Sequence, residues 1–77
     1  MNKFNLPDGY YVFEPEPDSN LVKVGWLQRL EGVPTLVAAQ GFVTGLENLT
    51  ETTCALVEVQ DGHVTYASGK PVMFFCE

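Results

Sequence analysis

Apolar and polar residues alternate along most of this chain, a pattern typical of β-strands that bury one face. Residues 21–30 show it most clearly, with Val22, Val24, Trp26 and Leu30 on one face. Turn-forming residues follow at 31–34, and residues 35–43 resume a strand pattern in which Gly41 marks a bulge or a close backbone approach. We therefore predict a hairpin of residues 21–30 and 35–43, with Trp26 at the centre of its first strand.

A second hairpin is predicted around the dipeptide Asp61-Gly62. Two strand-like runs, residues 53–60 and 63–67, flank this pair. Asn-Gly and Asp-Gly pairs favour a type I′ turn because both central residues need a positive φ. Further strands are predicted at residues 10–14 and 72–76.

One segment fits a helix better than a strand. Thr44 and Glu47 have the spacing of a capping box, and Leu46 and Leu49 then fall on one side of a helical turn. We predict a short helix over residues 45–52. The predicted fold is mainly β, a small antiparallel β-barrel or curled sheet of about five to six short strands with at most one short helix.

The chain has the length of one domain, 1–77, and its composition provides a core. Of its 77 residues, 45% are hydrophobic, including five Phe, three Tyr and one Trp. Residues 1–8 lack the apolar stretch of a signal peptide, and no run approaches the roughly 20 residues of a membrane helix. We expect a cytoplasmic protein, in the host cytoplasm if a phage encodes it, with Cys54 and Cys76 as free thiols.

Net charge narrows the range of partners. The formal charge is −6, from ten acidic residues against Lys3, Lys23, Arg29 and Lys70. Binding a nucleic-acid backbone needs a basic surface, so direct nucleic-acid binding is not expected, and neither is attachment to an anionic membrane. A negative field favours an encounter with a basic protein surface, although solubility alone also explains the charge.

The stretch FEPEPDSN places Glu14, Glu16 and Asp18 two residues apart. A calcium loop would need Gly at its sixth position and a carboxylate at its twelfth, and this chain has Ser19 and Gly25 there. If the stretch is extended, the carboxylates form a ridge with a spacing of about 7 Å, suited to a basic surface. If it adopts polyproline II, they spread around the axis and the stretch is a stiff connector.

Aromatic residues crowd the strand before this stretch. Alternation puts Tyr11 and Phe13 on one face and Tyr10 and Val12 on the other, an excess of apolar surface for a small domain. Either the helix and residues 4–6 cover the second face, or some aromatic surface is left to bind a partner. On the second reading, the predicted partner-binding residues are Glu14, Glu16, Asp18, Tyr11 and Phe13.

Catalytic and metal-binding arrangements are not supported. His63 is the only histidine, and a pairing with Cys54 or Cys76 oriented by Asp61 would place a nucleophile on an exposed hairpin. One His and two Cys also fall short of a zinc ligand set, and no phosphate-binding loop is present. We predict neither an enzyme nor a bound metal or cofactor.

The sequence therefore predicts a small acidic protein-binding module that blocks a basic surface of another protein. Without a motif behind the comparison, it is similar in size and charge to inhibitors that phages and mobile elements direct against host machinery, such as anti-CRISPR proteins. The alternative is a structural or assembly subunit that forms a homo-oligomer or joins a larger particle. The sequence identifies no family.

Overall fold

The computed structural model describes residues 3–76 and contains one α-helix and six β-strands in that range. In chain order these are β1 (Gly9–Phe13), β2 (Leu21–Lys23), β3 (Gln28–Arg29), α1 (Leu36–Thr50), β4 (Ala55–Gln60), β5 (His63–Ala67) and β6 (Met73–Phe75). The central sheet is antiparallel with strand order β3-β1-β4-β5, and β2 and β6 form a separate parallel pair.

The pairing of β1 with β4 forms the centre of the core. Tyr11 lies opposite Val57 and Val12 lies opposite Leu56, so successive residues point to opposite faces of the sheet. Side chains on both faces are buried: Leu56 and Val57 are among the least exposed of the described residues. Such two-sided burial requires a layer on each side of the sheet.

Those two layers are α1 and the β2–β6 pair. Ala39 and Val43 of α1 pack on the face that carries Val12 and Leu56. On the other face, Val22 of β2 and Phe74 of β6 join the cluster of Tyr11, Phe13, Ala55, Val57 and Val59. The predicted mainly β fold is confirmed. The central sheet is not closed into a barrel, because β3 and β5 remain its two edges.

The predicted strand over residues 35–43 is wrong, because this segment is the first half of α1. Thr35 caps the helix, and its hydroxyl accepts a hydrogen bond from the Ala38 N–H at 3.2 Å. From there the apolar residues that face the sheet follow a helical period: Leu36, Ala39, Val43 and Leu46. Burying that stripe on the sheet outweighs the strand preference of the valines.

The predicted capping box of Thr44 and Glu47 does not form, because both residues lie inside α1. The Thr44 hydroxyl donates to the Gln40 carbonyl one turn earlier. The Glu47 carboxylate accepts from the Cys54 N–H at 2.9 Å and so ties the end of α1 to the start of β4. Glu51 ends the helix in a left-handed conformation.

Residues 21–30 also differ from the predicted single strand. They split into β2, a 3₁₀ turn at Val24–Trp26, and β3. The split has a topological cause: β2 pairs with β6 in one layer and β3 pairs with β1 in another, so the chain must cross between layers. Trp26 lies at this crossing and is 43% exposed, instead of central in a strand.

The hairpin at Asp61-Gly62 is confirmed. Asp61 and Gly62 have φ values of 51° and 77°, as a type I′ turn requires. Gln60 pairs with His63 directly beside the turn. The last predicted strand is present as β6, but it pairs in parallel with β2, which the antiparallel prediction missed.

We predict that Gly62→Ala destabilises the protein more than Gly69→Ala. Both glycines have a positive φ, 77° and 82°, which alone costs about 1 kcal/mol for alanine. At Gly62 a Cβ would also come within 2.7 Å of the Phe4 carbonyl oxygen, whereas at Gly69 the nearest atom is 3.9 Å away. Chemical denaturation should show a loss of about 2–3 kcal/mol for Gly62→Ala. Equal losses in both variants would contradict the close approach of Phe4.

Candidate functional site

The acidic stretch follows the end of β1, is exposed, and consists of two parts. The carboxylates of Glu14, Glu16 and Asp18 are exposed and make no hydrogen bond or ion pair with any residue in 3–76. Residues 14–16 belong to no strand or turn, and a turn then forms at residues 17–18. A straight ridge of three carboxylates is therefore not formed, and Glu14 and Glu16 precede the turn.

Lys70 holds this turn in place. Its ammonium group donates hydrogen bonds to the carbonyls of Glu16 and Ser19, the second at 2.8 Å. The Ser19 hydroxyl in turn accepts from the Leu21 N–H at 3.1 Å, at the start of β2. The stretch is a connector between β1 and β2, as one of the two alternatives proposed, and it is anchored rather than loose.

Glu14 and Glu16 border a cleft of about 500 Å³ beside Trp26. The 3₁₀ turn contributes Gly25 and Trp26 to the lining, and Leu46 of α1 adds apolar surface. The lining thus combines residues of β1, the 3₁₀ turn, β3 and α1. A cleft that combines carboxylates, an exposed indole and an apolar wall matches a long cationic side chain, whose stem is apolar and whose head is charged.

The Trp26 ring already attracts a cation within the protein. The Lys23 ammonium lies over the ring, 5.6 Å from its centroid. This distance is within the range of a cation–π interaction, which is strongest for tryptophan. The indole thus already interacts with one cation of the protein, and to the cleft it contributes exposed apolar surface.

In the described range 3–76, no ion pair involves the cleft carboxylates of Glu14 and Glu16. Within residues 3–76, the one ion pair is Lys3 with Asp61, at 3.5 Å and exposed. Arg29 donates to the Asp8 carbonyl at 3.1 Å, and Lys70 likewise binds carbonyl oxygens. Lys70 places one positive charge beside the three negative charges of Glu14, Glu16 and Asp18, so together they keep a net charge of −2 and the field remains negative but reduced.

Tyr11 and Phe13, predicted to bind a partner, are core residues. Tyr11 is 3% exposed and its hydroxyl donates to the Pro7 carbonyl at 2.6 Å. Phe13 is 5% exposed and packs edge-to-face on Phe74 with centroids 5.8 Å apart. In this fold they have almost no surface for a partner, so the prediction that they bind one is corrected: layers on both sides of the sheet bury the aromatic excess.

Trp26 is the exposed aromatic that sequence reasoning missed. Period-two spacing with Val22 and Val24 placed it on a buried face, but the alternation ends at Lys23. Gly25, next to it, is the one local signal of a break, since glycine weakens a strand interior.

Burial is the main cause of the raised pKa values of the two tyrosines in β1. Burial raises the pKa of Tyr11 above its usual value, more strongly than nearby Arg29 lowers it. The pKa of Tyr10 is raised too, by burial first and then by Glu58. Both phenols therefore remain neutral across the physiological range and add no charge to the acidic surface.

Of the residues considered for catalysis, Cys54 and His63 lie at opposite ends of β4. Cys54 precedes β4 and His63 follows the turn at its far end, so a six-residue strand of about 20 Å separates them. Cys54 and Cys76 are free thiols. Among residues 3–76, no three His, Cys, Asp or Glu side chains converge on a common point where a metal ion would bind.

Comparison with protein-family models, with curated proteins and with solved structures finds no match to this chain. No helix among the described residues has both the length and the apolarity to cross a membrane.

We predict that Lys70→Met loosens the acidic stretch. The substitution keeps an apolar stem of similar length but removes the donor to Glu16 and Ser19, at an expected cost of about 1 kcal/mol. Amide hydrogen exchange should quicken at residues 16–21 and remain unchanged in β4. Lys3→Met is the matched control, because it removes an exposed ion pair expected to contribute less than about 0.5 kcal/mol. Unaltered exchange at residues 16–21 would show that Lys70 does not anchor the turn.

Proposed function

We propose that this protein is a small acidic protein-binding module, and that the cleft between Glu14, Glu16 and Trp26 receives a basic side chain of its partner. The observation that carries the proposal is the meeting of two carboxylates, which form no ion pair with residues 3–76, and an exposed indole around one cleft. Asp18, exposed on the adjacent turn, adds to the attraction at longer range.

Arginine is the side chain that fits this cleft best. Its guanidinium group binds carboxylates through several donors and stacks on aromatic rings, while a lysine ammonium acts as a point charge. Its stem would lie along Leu46, and its head would reach Glu14 or Glu16. Truncation of an arginine that fills such a pocket commonly weakens a protein complex by more than about 2 kcal/mol.

The anchored connector supports a role in binding rather than in linkage alone. Association is weakened when a loop must become ordered, and Lys70 orders this loop before any partner arrives. A preorganised acidic surface that covers basic residues would compete with whatever those residues normally bind. Inhibition of a host protein, as phage-encoded inhibitors achieve it, is the corresponding biological role.

Binding should divide into a charge-dependent and a contact-dependent part. Carboxylates act over distances near the Debye length of about 8 Å and raise the association rate, whereas Trp26 acts in contact and slows release. We thus propose that Trp26, and not the buried Tyr11 and Phe13, is the aromatic residue that contacts the partner.

The test is an NMR titration with a short peptide in which two arginines alternate with glycines. We predict shifts of the Trp26 indole N–H and of the amides of Glu14 and Glu16, which weaken as salt is raised. The double variant Glu14→Gln/Glu16→Gln should lose most of this binding. A peptide with glutamate in place of arginine should produce no shifts.

The matched control is Glu31→Gln/Glu51→Gln, which removes the same number of charges at exposed positions outside the cleft. If this control weakens peptide binding as much as the cleft variant does, net charge alone attracts the peptide and the proposed cleft has no specific role. Against a partner captured from a host lysate, the cleft variant should slow association and Trp26→Ala should speed release.

A further inference from the structure

The outer side of β3 is an open edge of the central sheet. β3 pairs with β1 on one side, and no other strand of the described range 3–76 pairs with it. Both of its residues, Gln28 and Arg29, are exposed. An open edge presents backbone N–H and C=O groups, to which an extended segment of another protein can add as a further strand.

The alternation of hydrogen bonds identifies the backbone groups that face outward. The Leu30 N–H donates to the Tyr10 carbonyl at 2.8 Å, so this pair is bonded across the two strands. Bonded and non-bonded pairs alternate in an antiparallel ladder, and the adjacent pair, Tyr11 with Arg29, is therefore non-bonded. The N–H and C=O of Arg29 consequently point away from β1. They face a residue placed opposite Arg29 on an added strand.

The other edge of the sheet, β5, is less suited to strand addition. The register of β4 with β5 shifts between Glu58 and Val59, which leaves Thr65 as an extra residue on β5. Such a bulge twists the strand and interrupts the regular row of outward groups, one of the ways in which proteins protect sheet edges. The two residue pairs of β1 with β3 keep a single register.

The edge formed by β3 lies beside the cleft. Gln28 lines the cleft together with Val12, the residue opposite it in β1. Val12 lies on the face of the sheet that α1 covers. On an added strand, about 4.8 Å from β3, the residue opposite Gln28 places its side chain on this same face. A long side chain at that position reaches the cleft.

Charge determines which kind of segment adds to this edge. A strand of two residues offers few backbone hydrogen bonds, so an added segment needs further contacts to bind. The carboxylates of Glu14 and Glu16 border the cleft and supply those contacts to a cationic side chain opposite Gln28. Opposite Arg29, a second cation is repelled, and an uncharged β-branched residue suits the added strand best.

We propose that an extended segment of the partner adds antiparallel to β3 and delivers an arginine to the cleft. The proposal rests on the proposed function and gives it a backbone geometry. The residue before the arginine lies opposite Arg29 and exchanges two backbone hydrogen bonds with it. The arginine lies opposite Gln28, with its own N–H turned to solvent. Every pair in the central sheet is antiparallel, and the added strand continues that arrangement.

Methylation of single peptide amides tests this geometry. The probe is a capped peptide with one arginine between threonines, titrated into the full chain and followed by NMR. An N-methyl group on the threonine before the arginine removes a hydrogen bond to the Arg29 carbonyl and obstructs the approach to β3. It should raise the dissociation constant about tenfold or more. An N-methyl group on the arginine itself points to solvent and is the matched control, which should bind nearly as the unmodified peptide does.

Amide hydrogen exchange provides a second measurement. At saturation with the unmodified peptide, exchange of the Arg29 N–H should slow, because this group gains an acceptor. The Ala67 N–H is the control on the other edge. Since the Ser68 N–H donates to the Leu56 carbonyl, the same alternation turns Ala67 outward on β5. Its exchange should not change.

The outcomes separate strand addition from the cleft itself. Equal dissociation constants for the two methylated peptides, or the reverse order, would overturn strand addition, as would unchanged exchange at Arg29. If Glu14→Gln/Glu16→Gln still weakens binding of the unmodified peptide in that case, the proposed function stands without strand addition. If this variant binds the unmodified peptide as the parent protein does, or the parent does not bind it, the proposed function fails and strand addition fails with it.

Discussion

The antiparallel pairing of β1 with β4 is the interaction on which the other elements of this small protein depend. Tyr11 and Val57 on one face and Val12 and Leu56 on the other are withdrawn from water together. An apolar sheet face left in water would cost about 25 cal/mol for each Å² exposed, so both faces need a cover. The helix α1 and the parallel pair of β2 and β6 supply these covers, one on each side.

This arrangement decides where recognition can take place. Tyr11 and Phe13 of β1 are buried in the core, so the exposed functional groups lie on the segments that connect the layers. The acidic stretch leads from the central sheet to the small pair, and the 3₁₀ turn leads back. Their meeting point carries Glu14, Glu16 and Trp26 around one cleft.

Sequence reasoning succeeded where the deciding interactions are local. The Asp61-Gly62 turn follows from the backbone preferences of two residues, and β1 and β4 follow from short runs rich in aromatic and β-branched residues. Of the two alternatives that the prolines left open for the acidic stretch, an acidic ridge or a connector, the structure shows a connector between β1 and β2. In these cases the relevant physics acts within a few residues.

Sequence reasoning failed where contacts between distant parts of the chain decide the local structure. Residues 35–43 contain valines and phenylalanine that suit either a strand or a helix. The Thr35 cap and the helical spacing of Leu36, Ala39 and Val43 decide for the helix only because a face of the sheet is present to bury these side chains. Trp26 was misplaced because Gly25 signals only a local break and does not show that β2 and β3 belong to different layers. For the same reason, Tyr11 and Phe13 were predicted to bind a partner and not to lie in the core.

Amide hydrogen exchange across β4 tests the central claim most directly. If the β1–β4 pairing is the core, the amides of Val57 and Val59, between β1 and β5, should exchange only through global unfolding. Their opening free energy should then equal the free energy of unfolding measured with denaturant, while residues 14–20 exchange far sooner. Equal, rapid exchange in β4 and in residues 14–20 would contradict a structure organised around this strand pair.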